Sequence, residues 1–249
     1  MAGHSKWAQI KRQKGANDAQ RGQLFTKLAK EIIISAKQGG PDPAGNFRLR
    51  LAIQKAKDNN MPADNIQRAI AKGSGGGEGS DVEEVTYEGY GPGGTAIIVE
   101  AATDNRNRTV AEVRNVFARA GGNLGETGSV AWNFELRGVI NVSPNGVDPD
   151  EIALRAIDAG AEDVQVGATS IDVYTQPGDL EAVKQALEAA GATVESAETS
   201  RVPKTTVQLD EKSAIATLRL VEKLEALDDV QKVYFNGEFS DAVLASYAG

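Results

Sequence analysis

Cysteine is absent from this chain of 249 residues, and histidine occurs once, as His4. Without cysteine the protein has no disulfides, no thiolate metal ligands and no cysteine nucleophile. One histidine and few clustered acids also argue against a zinc or two-metal site. From these absences we expect neither a metal nor a cofactor.

No group of residues in the sequence predicts catalysis. His4 is followed by Ser5, but a serine nucleophile needs a base that a third group orients inside a rigid pocket. A polar terminal arm supplies neither of these. We therefore expect a protein that is not an enzyme and that has no small-molecule substrate.

Long apolar runs are also missing. The longest ones, such as Ala96–Val99 and Ile32–Ile34, are far too short to span a bilayer. Residues 1–14 are rich in lysine but have no apolar segment typical of a secretory signal, and they are not Arg- and Ser-rich like a transit peptide. The sequence predicts a cytoplasmic protein without a membrane partner, and we expect a monomer.

Charge is distributed very unevenly along the chain. Residues 1–73 contain nine Lys and five Arg against five acids, a net charge of +9, whereas the whole chain is at −8, which leaves −17 for residues 74–249. A basic segment on an acidic body is typical of a protein that contacts a polyanion at one end. The alternative interpretation is a solvated basic surface without a partner.

The hydrophobic pattern divides the chain into a helical part and a mixed part. Apolar residues at helical spacing predict three helices before Gly73, and the short turn between the last two also fits the outline of a helix-turn-helix. The glycine-rich segment Ser74–Ser80 predicts a flexible linker. After it we predict strands over residues 85–90, 95–101 and 129–134, and a helix that begins with a capping box of Thr109 and Glu112.

The remaining elements predict two nested α/β domains. Residues 138–196 follow the order βαββαβ, which is the ferredoxin-like pattern. A further βαβ unit with strands over 205–209 and 230–235 would complete a second such domain with the half that precedes residue 137. The predicted fold class is α+β multidomain: an N-terminal all-α helical domain (1–73), then two ferredoxin-like α/β domains, one (137–202) inserted in the other (81–136 plus 203–249).

Cations at short intervals, together with one tryptophan, make the N-terminal arm a candidate nucleic-acid site. Each cation is suited to neutralise a phosphate and release condensed counterions. Trp7 has no apolar neighbours in sequence, so its ring can stack on a base, or alternatively pack back onto the helical domain. The candidate nucleic-acid-binding residues are Lys6, Trp7, Lys11, Arg12, Lys14, Arg21, Lys27, Arg48 and Arg50.

Two loops are further candidates for binding. Residues 103–109 lie between a strand and a helix N-terminus, where backbone N–H groups and two arginines suit an anion, although the Asp and Asn residues there can equally well only cap and turn the loop. Residues 87–94 form a glycine-rich turn without the Lys-Ser/Thr of a P-loop, and its two tyrosines suggest a contact surface. The candidate residues are Asn105, Arg106, Asn107, Arg108, Tyr87 and Tyr90.

Six motifs of the chain resemble the YebC/PmpR family, which includes the mitochondrial translational activator of cytochrome c oxidase. They are MAGHSKW (1–7), FTKL (25–28), NMP (60–62), YEGYGPGG (87–94), TDNRNRT (103–109) and GSVAW (128–132). The resemblance implies a helical domain followed by two α/β domains and a cytoplasmic nucleic-acid-binding regulator. Gln20 and Gln23 stand where family sequences often carry basic residues, which implies fewer phosphate contacts in the arm.

Two functions stay open at this point. Members of the family are described as transcriptional regulators that bind promoter DNA, and others as ribosome-associated translation factors that relieve stalling at proline-rich stretches. A cationic arm with an aromatic residue favours irregular RNA, and no predicted helix shows a base-reading face of Arg, Asn and Gln. A protein-interaction scaffold without nucleic-acid affinity would be a third class.

Overall fold

The computed structural model describes residues 18–75, 81–167 and 170–248, which divide into two units. The outer unit contains the described residues up to Asn133 and from Thr205 onward, and the inserted unit is Phe134–Lys204. Most of the predicted linker, residues 76–80, lies outside the described residues. The linker and the domain boundaries drawn from the sequence therefore stay predictions.

Three helices begin the outer unit: α1 (Asp18–Gly39), α2 (Phe47–Asp58) and α3 (Ala63–Gly73). Asn46 caps α2, because its Oδ1 accepts a hydrogen bond from the Leu49 N–H at 3.0 Å. The Nδ2 of the same side chain donates to the carbonyls of Ser35 and Gly40, both at 2.8 Å. One buried amide therefore satisfies backbone groups at the end of α1 and the start of α2.

The three helices bury an aliphatic core that they share with the following strands. Ile32 and Leu49 are fully buried in this cluster, and Val82 and Ala102 from the strand region belong to it too. α3 approaches α1 closely at Gly73, where a Cβ atom would overlap the Ile33 carbonyl. The helical region thus packs directly on the α/β part of the outer unit.

A four-stranded antiparallel sheet forms the centre of the outer unit, in the order β3-β1-β2-β9. Its strands are β1 (Glu83–Tyr90), β2 (Ala96–Thr103), β3 (Asn123–Leu124) and β9 (Val230–Phe235). The helices α4 (Arg106–Arg119) and α7 (Glu211–Glu225) pack on one face, where Val99, Phe117 and Leu218 are fully buried. The neighbouring residues of β2 point to the other face, so β2 is buried on both sides.

Three local expectations were wrong in this unit. Residues 129–133 form no strand but a turn ending in a short 3₁₀ segment, Ala131–Asn133, because their N–H groups bind a side chain, as described below. The segment predicted as a strand over 205–209 contributes only β8 (Val207–Gln208), which pairs in parallel with β10 (Gly237–Glu238), and β1 occupies the place beside β2. α4 begins three residues before Thr109, and its cap is Asn105.

The inserted unit has the predicted ferredoxin-like topology. Its antiparallel sheet has the order β5-β6-β4-β7, with two helices that each connect strands in the βαββαβ pattern. The elements are β4 (Phe134–Ser143), α5 (Pro149–Asp158), β5 (Asp163–Val166), β6 (Ile171–Thr175), α6 (Leu180–Ala189) and β7 (Thr193–Pro203). Asp148 caps α5, because its Oδ1 accepts a hydrogen bond from the Asp150 N–H at 3.0 Å. The fold class, α+β with an N-terminal helical region, is confirmed.

A last helix, α8 (Asp241–Ala248), follows β10 and was not predicted. None of the helices within the described ranges is long and apolar enough to cross a membrane.

Substitution of Gly73 by alanine tests the close approach of α3 to α1. Alanine favours helix, yet we expect Gly73→Ala to lower the free energy of unfolding by about 1–3 kcal/mol, because the new methyl group meets the Ile33 carbonyl. Gly22 in α1 is the matched control: a Cβ there meets nothing within 4 Å. Gly22→Ala should raise the free energy of unfolding by about 0.5–1 kcal/mol. Urea titrations followed by circular dichroism measure both, and equal stabilisation would contradict the proposed contact.

Candidate nucleic-acid interface

Part of the basic surface of α1 binds the C-terminal end of α7 and the turn that follows it. The Lys27 ammonium donates to the carbonyl of Glu225, and the Lys30 ammonium donates to that of Asp228 at 3.2 Å. The last carbonyls of a helix have no partner within the helix and carry the negative end of its dipole. Lys27, a predicted nucleic-acid contact, is therefore engaged within the protein.

The carboxylate of Asp229 collects hydrogen bonds from three elements of the outer unit. Lys30 on α1 binds it at 2.6 Å, Arg108 on α4 at 2.8 Å and the Thr109 hydroxyl at 2.6 Å, while Thr103 lies 3.2 Å away. The side chain of Asp229 is only 3% exposed. Burial alone raises the pKa of Asp229, but the bonds from Lys30, Thr109 and Arg108 outweigh burial and hold its pKa well below the usual range.

Arg48 also lies inside a network of acids. Its guanidinium pairs with Glu31 at 3.0 Å and with Glu84 on β1 at 2.5 Å, and it donates to the Gln38 side chain at 2.7 Å. Burial lowers the pKa of Arg48, yet the hydrogen bonds and charges of the two carboxylates raise it above its ordinary value. The network holds α1 and α2 to the sheet, and Arg48 would have to leave it to bind a phosphate.

The loop that the sequence suggested for an anion already contains its own carboxylate partners. Asn105 caps α4 by accepting from the Arg108 N–H at 3.1 Å. Arg106 pairs with Glu83 at 2.5 Å, and Arg108 is bound to the two carboxylates of Asp104 and Asp229. Asn107 is exposed. This arrangement matches the alternative in which Asp and Asn residues cap and turn the loop.

The two tyrosines near the glycine-rich turn are half-buried, and a contact surface there stays a prediction. The Tyr90 hydroxyl donates to the Ser129 carbonyl at 2.9 Å. Tyr87 packs against the core of the outer unit, and burial raises the pKa of its hydroxyl, which has no hydrogen-bond partner among the described residues. Both rings support the fold of the outer unit.

Apart from Arg48, the cations on α2 and α3 have exposed side chains. Arg50 lies on the exposed side of α2, where its guanidinium donates to the Pro43 carbonyl at 2.8 Å and stacks 5.4 Å above the Phe47 ring. Exposed cations on these two helices are Arg50, Lys55, Lys57, Arg68 and Lys72. Arg21 belongs to α1, whereas Lys6, Trp7, Lys11, Arg12 and Lys14 lie outside the described residues. The structure thus leaves cations on the surface of α2 and α3.

Trp132 is a feature that the sequence analysis missed. Its side chain is 66% exposed, the highest value among the exposed large hydrophobic residues of the described chain. The turn that presents it is fixed by the buried carboxylate of Glu88, which accepts from the N–H groups of Gly128, Val130 and Ala131 at 2.7–2.8 Å. The GSVAW motif contains this tryptophan, but the alternation of residues there predicted a strand.

The chain is an α+β protein with an N-terminal helical region and an inserted ferredoxin-like unit. Comparison of its sequence with models of known protein families identifies the family. Residues 5–76 match the model of the TACO1/YebC protein N-terminal domain, and residues 82–237 match that of the TACO1/YebC second and third domain. The chain belongs to the TACO1/YebC family. The resemblance stated from the motifs is therefore confirmed.

Relatives match the chain over nearly its whole length. It is 58% identical to a probable transcriptional regulatory protein of Dehalococcoides mccartyi over 247 residues, 99% of this chain and 98% of that protein. A protein of the same description from Herpetosiphon aurantiacus is 54% identical over 249 residues, covering 100% and 99%. The crystal structure of a conserved hypothetical protein from Aquifex aeolicus is 51% identical, with a TM-score of 0.83 over 90% of this chain and 93% of that one.

Substitution of Asp229 by asparagine tests the carboxylate network. Asp229→Asn leaves Lys30 without its buried counter-charge, so we expect the free energy of unfolding at neutral pH to fall by about 3 kcal/mol. Because folding lowers the pKa of Asp229, its contribution is complete above the unfolded value of about 3.9 and is lost as the pH falls below that value. The stability difference between wild type and variant should therefore shrink in acid.

The exposed neighbour Asp228 provides a matched control for this prediction. Asp228→Asn should change the free energy of unfolding by less than about 0.5 kcal/mol. Denaturant titrations of both variants between neutral pH and acid provide the measurement. A loss for Asp229→Asn that is no larger than the control, or that does not depend on pH, would show that the network is not a source of stability.

Proposed function

We propose that this chain is a nucleic-acid-binding regulator of gene expression that binds DNA as a transcriptional regulator. The observation that carries the proposal is the charge division, with +9 over residues 1–73 against −17 over the remainder. The naming of its relatives as probable transcriptional regulatory proteins supports the same assignment.

The exposed cations of α2 and α3 extend the basic character of the arm over a folded surface. Arg50 and Lys57 are seven residues apart, and Arg68 and Lys72 four, so each pair lies on one side of its helix. The acidic remainder of the protein repels a phosphate backbone. A polyanion would thus be attracted to the cations of the arm, α2 and α3 and repelled by the rest of the protein.

Ribosomal RNA is the alternative target, in a translation factor that relieves stalling at proline-rich stretches. Trp7 favours this alternative, because it lies among the cations of the arm and unpaired bases stack on exposed aromatic rings. Paired bases in duplex DNA do not offer their faces in this way. The two targets therefore differ in what they require of Trp7.

The first experiment measures the contribution of charge. Replacing Lys11, Arg12 and Lys14 by Gln should weaken binding and flatten its salt dependence. For each phosphate that is no longer neutralised, the log–log slope should fall by about 0.9 on duplex DNA and about 0.7 on single strands. The matched control, Arg155→Gln with Lys204→Gln and Lys212→Gln, removes the same charge from exposed positions in the acidic remainder. Fluorescence anisotropy over a range of salt concentrations gives both slopes, and equal slopes for the two triple variants would contradict the proposed interface.

The second experiment separates DNA from RNA. Trp7→Ala should reduce the affinity for single-stranded or looped RNA by about 1–3 kcal/mol and leave the salt slope unchanged, if RNA is the target. If DNA is the target, binding to a promoter duplex should be nearly unaffected. Trp132→Ala, which removes the exposed indole of the acidic body, serves as the control. A Trp7→Ala variant that weakens RNA and duplex DNA equally, or that unfolds, would assign Trp7 a structural role instead.

A further inference from the structure

Two large aliphatic residues are exposed on α5 of the inserted unit. Leu154 is 60% exposed and Ile157 55% exposed, and they lie three residues apart on the side of α5 that faces away from its buried residues. Single exposed apolar residues are common on proteins, whereas an adjacent group of them is typical of an interaction site.

Val166, which is 50% exposed, is the last residue of β5. It pairs across the strands with Ile171, which is buried, so both side chains point to the face covered by helices. α5 covers β5 and β6 on that face, and β5 is an edge strand of the sheet. After the turn at residues 159–162, β5 runs back along α5, so Val166 lies toward the start of α5 and Ile157 lies at its other end. Leu154 and Ile157, on the exposed side of α5, are called the Leu154 patch.

Acidic residues surround the Leu154 patch. Residues 148–163, which contain α5 and the start of β5, carry six acids against one arginine, and the inserted unit as a whole has 13 acids against five bases. Asp150, Glu151 and Asp158 on α5 are exposed beside Leu154 or Ile157. An apolar centre with an acidic rim is complementary to an apolar segment flanked by cations.

We propose that the Leu154 patch is a docking site for a basic protein segment that bears aliphatic or aromatic side chains. The acidic rim selects against the other candidate occupants. A nucleic acid or an anionic membrane would meet like charge, and a symmetrical contact with a second copy would bring two acidic rims together. The proposal does not depend on the nucleic-acid function, because it concerns another surface and another class of partner.

A short amphipathic peptide of leucine and lysine serves as the probe, with a leucine and glutamate peptide of the same design as its counterpart. The full chain is titrated with each peptide, and amide chemical shifts locate the contact. We expect the lysine peptide to bind and to shift amides of α5, and the glutamate peptide not to bind. Leu154→Ser combined with Ile157→Ser should weaken the lysine peptide by about tenfold or more.

Leu136→Ser is the matched control, because Leu136 is also 50% exposed in the inserted unit but lies on β4, where it pairs with β7. This variant should bind the lysine peptide like wild type. If the double variant is unfolded by circular dichroism, Asp150→Lys with Asp158→Lys replaces it and should weaken the same peptide. Binding of DNA or RNA by the full chain should not change in the Leu154→Ser, Ile157→Ser variant, which keeps the net charge, and this separates the site from the proposed nucleic-acid interface.

Four results would overturn the proposal. The double variant and the control could bind the lysine peptide equally, or the shifted amides could lie outside α5. The glutamate peptide could bind as well as the lysine peptide, which would remove the charge argument. Finally, the double variant could convert a dimer into a monomer in sedimentation, which would identify a second copy of the chain as the occupant.

Discussion

The buried carboxylate of Asp229 is the interaction on which the arrangement of the outer unit depends. It lies just before β9 and accepts hydrogen bonds from Lys30 on α1 and from Arg108 and Thr109 on α4. Burial of a charge lowers the stability of a fold unless hydrogen bonds and a counter-charge compensate for the lost water. The partners of Asp229 must therefore keep their distances and directions. These bonds hold α1 against the sheet of the outer unit. In this contact a cation of the basic segment, Lys30, pairs with an acid of the acidic segment, Asp229.

This contact changes how the positive charge of the first 73 residues is understood. Lys27, Lys30 and Arg48 are engaged with carbonyls and carboxylates of the protein itself. The other cations of α2 and α3 have exposed side chains: Arg50, Lys55, Lys57, Arg68 and Lys72. A net charge of +9 therefore overstates the number of cations available to a polyanion. Charge asymmetry serves two purposes here, since one set of cations joins the helices to the sheet and another set remains on the surface.

Much of the fold was predictable because its signals are local. Helical spacing predicted three helices before Gly73, and the order of elements over residues 138–196 predicted the ferredoxin-like unit. The errors arose where a distant side chain decides the local structure. Glu88 binds N–H groups some 40 residues away and so prevents a strand before Phe134.

The site was harder to predict for the same reason. Arg108 and Lys30 both bind the carboxylate of Asp229, which lies 121 and 199 residues further along the chain, respectively. The spacing of hydrophobic residues predicts local helices and strands but not such distant pairs. Thr109, which looked like a helix cap, instead contributes a buried hydroxyl to Asp229. Composition identified the basic segment, but which of its cations are engaged within the protein could be learned only from the structure.

The distance along the chain between α1 and Asp229 has a consequence for biosynthesis. Lys30 leaves the exit tunnel 199 residues before its counter-charge, and Lys27 leaves it 198 residues before the carbonyl that it binds. At about 5–20 residues per second this interval lasts roughly 10–40 s. During that time the basic face of α1 has no acidic partner from β9 or α7, and a nascent chain presents more positive charge than the finished protein does. The order of synthesis thus creates a transient cationic surface that folding later removes.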